Sequence, residues 1–180
     1  MLSLVIGGAR SGKSELAEEK AILLSSTQGT ADPKGGPLNG PITYVATAQI
    51  TDGDMAIRVD AHRRRRPSDW ATVEVGAGGD LAQVLFELEG VAIVDSLGTW
   101  VAGFEQFAYE RDRLPKALRL RKGSTVVVTE EVGLGVHPSS DSGRLFRDRL
   151  GDLNKMVAAI SDEVWLVVAG LPVRIGGFAS

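Results

Sequence analysis

The 180-residue chain contains no cysteine. That excludes disulfides, thiolate metal sites and a cysteine nucleophile, and it suits a reducing compartment. Apolar runs are all far shorter than the roughly 20 residues needed to span a bilayer. No apolar signal region precedes Gly7 and Lys13. The expectation is a cytoplasmic protein with no membrane insertion. Net positive charge is also lacking: the formal charge is −3 and the pI about 5.4. That balance argues against general binding of nucleic acid or anionic membranes. What remains is ordinary globular composition, 43% apolar and 24% charged, at a length that suits one domain over residues 1–180.

Short apolar runs alternate with amphipathic stretches. Leu2 to Ile6, Ile42 to Ala46, Thr72 to Val75, Val91 to Val94, Thr125 to Val128 and Val164 to Val168 read as strands. Several are Val- and Ile-rich with little polar alternation, as expected for strands covered on both faces. Helices are predicted over Ser14 to Leu24, Asp54 to Arg65, Gly79 to Glu89, Glu110 to Arg121 and Ser142 to Ile160. This alternation predicts an α/β fold with a mostly parallel sheet between helices. The stretch Ser25 to Pro41 is rich in Gly, Pro, Ser and Thr and reads as a flexible insertion.

Gly7-Gly8-Ala9-Arg10-Ser11-Gly12-Lys13-Ser14 matches G-x-x-x-x-G-K-[ST], with an apolar strand before it and a helical pattern after it. Glycines let the backbone wrap phosphates, the N–H groups point inward, and the helix N-terminus adds a favourable dipole. Lys13 is expected at the β- and γ-phosphates and Ser14 on Mg²⁺. An acid at a neighbouring strand end should complete the metal site. Asp95 is the better candidate, with the N-cap of the following segment as its plainer role; Glu130 and Glu131 are more ambiguous.

A second concentration of charge is Arg58 to Pro67, where His62 precedes Arg63, Arg64, Arg65 and Arg66. Asp52 to Arg65 can form a helix that Pro67 stops. Arg58 and Arg65 then share the face of His62. A cationic surround lowers a histidine pKa and favours the neutral imidazole that a nucleophile needs. The same pattern also fits a solvated helix face or a plain anion clamp. An RNA patch is disfavoured, because aromatic residues do not interleave with the arginines.

These segments, with Tyr44 to Gln49, Met55 to Trp70, Val94 to Trp100, Glu131 to Pro138 and Gly143 to Pro172, resemble the bifunctional adenosylcobinamide kinase/adenosylcobinamide-phosphate guanylyltransferase family nearly end to end. The stretches H-x-x-x-R-P-x-x-W and R-x-F-R-D-x-x-G-x-x-N carry most of the specificity. The resemblance implies a RecA-like P-loop NTPase fold and, typically, a homotrimer. It implies phosphorylation of adenosylcobinamide by a nucleoside triphosphate, GTP or ATP. It further implies attack of His62 on the α-phosphate of GTP and passage of GMP to adenosylcobinamide phosphate, giving adenosylcobinamide-GDP. Ala46, Thr47 and Ala48 match a second nucleotide-contacting turn, Arg63 to Arg66 the stretch after the histidine, and Glu74 and Asp95 acids that touch guanine nucleotide or metal. A P-loop kinase of another small metabolite, with no covalent GMP, is the alternative.

The chain departs from the family in four places. The Ser25 to Pro41 stretch is longer than usual. Glu130-Glu131-Val132-Gly133 stands for a common Asn-Glu-Val-Gly, Val136-His137-Pro138 for Ile-Val-Pro, and Gly98 for Thr or Leu. His137 reads as a loop residue, and Trp70, Trp100 and Trp165 as packing residues by default. Arg144, Arg147 and Arg149 fit either a phosphate contact or the polar face of a long helix.

Overall fold

The structure, a computed structural model, describes residues 1–26, 41–47 and 67–177. Seven strands form one sheet: β1 (Leu2–Gly7), β2 (Ile42–Ala46), β3 (Ala71–Glu74), β4 (Val91–Asp95), β5 (Thr125–Glu130), β6 (Glu163–Val168) and β7 (Leu171–Gly176). Their order is β3-β2-β4-β5-β1-β6-β7, and every neighbouring pair is parallel except β6 and β7. The helices are α1 (Lys13–Ser26), α2 (Leu81–Glu87), α3 (Leu97–Ala102), α4 (Arg113–Leu120) and α5 (Asp141–Ala158), with a 3₁₀ turn at Glu105–Phe107.

Side chains that alternate along each strand build two cores. Leu4, Val94 and Val127 point to the face covered by α2, α3, α4 and α5, where Leu85, Leu97, Leu118 and Leu153 meet them. Val5, Ile93 and Val128 point to the other face, which Ala17 and Ala21 of α1 approach closely. This is why the central strands read as unbroken Val and Ile runs: neither of their faces meets water.

Local chemistry starts the helices where the sequence places them. Asp80 caps α2 by accepting from the Gln83 N–H, and Ser140 caps α5 by accepting from the Gly143 N–H. Pro115 falls in the first turn of α4, where its missing N–H costs nothing. At the end of the sheet remote from the P-loop, burial raises the Glu163 carboxyl. Hydrogen bonds from Lys20 and Ser3, with the Lys20 charge, outweigh that and leave it below its ordinary value. The Lys20 bond, 2.6 Å long, fixes α1 to the start of β6.

Several boundaries move. The third strand is Ala71–Glu74, one residue earlier than expected, and the helix read from Gly79 begins at Leu81. Ser25 and Ser26 close α1 and do not belong to the insertion, whose residues 27–40 lie outside the described residues. The helix expected over Asp54 to Arg65 also lies outside them. Two elements escape the sequence pattern, α3 and β7. Helix α3 is six residues long, too short for a period to show. Strand β7 carries Pro172, which a central strand would reject and an edge strand tolerates. Its Leu171, Val173 and Ile175 are exposed.

Candidate active site

Every parallel strand ends at the same edge of the sheet, and the described candidate residues collect there. Register places Gly7 beside Glu130, Asp95 beside Ala46, and Ala46 beside Glu74. Four strand steps separate Gly7 from Glu74. At about 4.8 Å per step they stand roughly 19 Å apart. A single phosphate cannot meet both. The candidate nucleotide-binding residues therefore divide into a phosphate end at β1 and a second end at β2 and β3.

The loop after β1 is held from two sides. The Glu131 N–H donates to Gly7 O at 3.2 Å, and the Gly170 N–H donates to Ser11 O at 2.8 Å. Gly7 is required for space: an added Cβ would stand 2.8 Å from Val167 O and 2.4 Å from Ser11 Oγ. Gly12 is required for conformation, with φ of 93°, and Arg10 shares the left-handed region at 55°. The Lys13 ammonium donates to Gly8 O at 3.1 Å, folded over the loop where phosphate oxygens would otherwise draw it. Ser14 Oγ donates to Asp95 Oδ2 at 2.9 Å, and Tyr44 Oη donates to the same oxygen at 2.5 Å. A hydroxyl and a carboxylate oxygen thus already converge beside Lys13. That donor set fits Mg²⁺, which takes one or two protein ligands and fills its octahedron with phosphate oxygens and water.

The turn after Asp95 is tightly built. Asp95 is not a helix cap; Ser96 is, and with Thr99 it forms a capping box at α3. Thr47 is buried and its hydroxyl donates to Ser96 O at 2.6 Å while accepting from the Ser96 N–H at 2.8 Å. Its side chain braces this turn. The peptide bond between Asp95 and Ser96 is cis.

Glu130 was one of several strand-end acids in the sequence, and the structure brings it into the site. It accepts from Ser96 Oγ at 2.8 Å and from the Gly98 N–H at 3.0 Å. A Cβ on Gly98 would lie 2.0 Å from Glu130 Oε2. Two of the four departures from the family pattern are therefore one physical unit: the acid at 130 occupies the space that glycine at 98 leaves. Burial raises the Glu130 carboxyl above its ordinary value, and the nearby Asp95 charge adds to this, against hydrogen bonds from Ser96 and Gly98 and the Lys13 charge. The folded state then holds this proton more tightly than the unfolded chain, so its contribution to stability falls as pH rises above 4.5. Glu130→Gln keeps an acceptor for the Gly98 N–H and turns an amide N–H toward Ser96 Oγ, which can accept it, without the ionisation cost. It is expected to melt above wild type at pH 7, with the gap closing below pH 4.5 in a thermal unfolding series.

Other candidates separate by place. Glu74 is exposed at the end of β3. Ala48, His62, Arg63, Arg64, Arg65 and Arg66 lie outside the described residues. Trp100 is core, its indole N–H donating to Gly79 O, in a cluster with Phe104 and Tyr109. His137 is an exposed loop residue 2.8 Å from Arg147. Arg144 donates to Pro138 O and Ser139 O and pairs with Asp141 at the start of α5.

Among the described residues no helix is long and apolar enough to cross a membrane. The chain matches, over residues 3–175, the family model described as cobinamide kinase / cobinamide phosphate guanyltransferase. It is 35% identical to the bifunctional adenosylcobalamin biosynthesis protein CobU of Escherichia coli, covering 97% of this chain and 99% of that one. It is also 35% identical to the bifunctional adenosylcobalamin biosynthesis protein CobP of Pseudomonas aeruginosa, covering 98% of each. The corresponding CobU of Salmonella typhimurium is 34% identical over 97% of this chain.

Proposed function

We propose, from the premise that this chain belongs to the cobinamide kinase / cobinamide phosphate guanyltransferase family, that it carries out both reactions on one domain spanning residues 1–180. In the first, the hydroxyl of adenosylcobinamide attacks the γ-phosphorus of GTP or ATP. An O–P bond forms, the bridging bond to the β-phosphate breaks, the nucleoside diphosphate leaves and the hydroxyl proton is released. In the second, His62 attacks the α-phosphorus of GTP, pyrophosphate leaves, and adenosylcobinamide phosphate then takes the GMP from the imidazole.

The observation that carries this reading is the convergence of Lys13, Ser14 and Asp95, with the Ser14–Asp95 bond at 2.9 Å. The loop N–H groups and Lys13 bind the phosphate chain, and Lys13 exchanges its contact with Gly8 O for phosphate oxygens. Ser14 and Asp95 are the residues to hold Mg²⁺, which neutralises phosphate charge when bound. The nucleoside lies toward Ala46 and Glu74, at the far end of the edge. His62, Arg63, Arg64, Arg65 and Arg66 belong to the segment that joins β2 to β3, which leaves the sheet after Ala46 at this edge and returns at Ala71 at the opposite one. The assembly is a homotrimer, for which the exposed apolar side chains of β7 offer contact surface.

The test is turnover. Purified protein with Mg²⁺, GTP and adenosylcobinamide should give adenosylcobinamide phosphate and then adenosylcobinamide-GDP, separated by chromatography. Lys13→Ala should lose about 10²–10³-fold in the first step, the scale of one transition-state charge contact. Phosphorylation that survives Lys13→Ala undiminished would remove the P-loop from the reaction.

A further inference from the structure

The motif R-x-F-R-D-x-x-G-x-x-N is not used by the chemistry above. In the structure its spacing acquires a meaning. Arg147, Gly151 and Asn154 follow one another by four and three residues along α5, so they share a helix face. That face lines a cleft of about 510 Å³, closed on its other side by Ile6 and Glu131. Its size falls within the range of small-molecule sites. Glu131 is the residue whose N–H holds Gly7 O, and Ile6 precedes Gly7, so the cleft opens beside the start of the P-loop. Asn154 fixes this face of α5 to the end of β5: its amide donates to Glu130 O at 3.0 Å and its carbonyl accepts from Thr129 Oγ1 at 2.7 Å.

Gly151 supplies the second observation. Glycine inside a helix is destabilising relative to alanine. The steric reasons that require glycine at 98, or at 143, where a Cβ would meet Pro138 at 2.9 Å, are missing here: a Cβ on Gly151 would meet nothing within 4 Å. The described chain draws no packing benefit from this glycine. What it preserves is open space in the cleft wall. Lys155, one turn further along, lines the same cleft, and among the described residues it has no ion pair.

We infer that this cleft between α5 and the end of β5 binds the acceptor of phosphoryl transfer, the hydroxyl-bearing arm of cobinamide, with Gly151 leaving room for it and Lys155 attracting the phosphate ester once it is made. The inference rests on the kinase reading above. The occupant is amide-rich and nearly neutral before reaction and anionic after it. Such a ligand suits a wall of mixed charge with a cation, Lys155, that is in no ion pair among the described residues.

The test uses full-length protein and cobinamide, whose colour allows equilibrium dialysis without turnover. Gly151→Leu fills the cleft with a good helix former. It should weaken cobinamide binding by at least about tenfold while nucleotide affinity stays at the wild-type value. Lys155→Glu, a surface change that leaves folding intact, should weaken binding of cobinamide phosphate several-fold more than binding of cobinamide. Wild-type binding of cobinamide in Gly151→Leu, or equal losses for both ligands in Lys155→Glu, would overturn the assignment and leave the kinase reading standing. If Gly151→Leu fails to fold, the Lys155→Glu comparison decides alone. Failure of the wild-type chain to bind cobinamide at all would overturn the kinase reading and this inference with it.

Discussion

His62→Ala is expected to abolish covalent labelling of the protein by GTP. With Mg²⁺ and GTP labelled in the α-phosphate, the wild-type chain should acquire label that survives base and is lost in acid, as a phosphoramidate does. The alanine variant should acquire none, and label in the γ-phosphate should stay on neither. The proposed mechanism makes the effect all-or-none, because in it the imidazole nitrogen is the atom that holds the GMP. Loss of an attacking nucleophile costs on the order of 10⁶-fold in turnover in well-measured enzymes. The sequence around His62 suits the proposed role: Arg58 and Arg63 to Arg66 are its near neighbours in the chain and could pair with the phosphates of GTP. Label from the α-phosphate in the variant would place the carrier elsewhere. Absence of that label in wild type, with GTP still bound, would remove the covalent step and leave a kinase.

Arg121→Met should produce a large loss of stability although it lies away from the site. Arg121 follows α4 and is 4% exposed. Its guanidinium donates to the carbonyls of Leu85, Leu88, Glu89, Gly90 and Ser124, and to Thr125 Oγ1. One side chain thereby satisfies the end of α2, the turn into β4 and the start of β5. Gly123 clears the space, since a Cβ there would stand 2.6 Å from the guanidinium and 2.0 Å from Gly90 O. Burial lowers the Arg121 pKa to about 10, so it remains charged at neutral pH. Methionine has similar length and no donors, and it strands several buried carbonyls. The cost should be about 3–5 kcal/mol, the range for removing one partner of a buried charged network. For a chain of this size that lowers Tm by roughly 8–15 °C. Arg121→Lys should fall between, because one ammonium cannot reach all six acceptors. A Tm within a few degrees of wild type for the methionine variant would show that water replaces the guanidinium without penalty.

The sequence by itself determined a good deal of this protein. It gave six of the seven strands to within a residue or two at each end, because a strand buried on both faces must be an unbroken apolar run, and Val91 to Val94 or Thr125 to Val128 admit few other structures. The P-loop was legible for the same kind of reason: its glycines, Lys13 and Ser14 are contiguous, so their chemistry is written in local order. Asp95 was legible as a strand-end acid. Glu130 was legible only as one acid among several, since what distinguishes it is contact across 32 residues with Gly98. Strand order, too, depends on contacts between segments far apart in the chain. Only the tertiary structure could set β1 between β5 and β6, align Gly7, Glu130, Asp95 and Glu74 along one edge, and turn Thr47 inward as a brace. The same holds for the cleft at Gly151. The spacing of Arg147, Gly151 and Asn154 announces a helix face, but what that face looks onto is fixed by packing against β5. A sequence records which side chains alternate and which are neighbours in the chain. The distances between residues remote in sequence, on which a site depends, are set by the burial and hydrogen bonding that close the sheet.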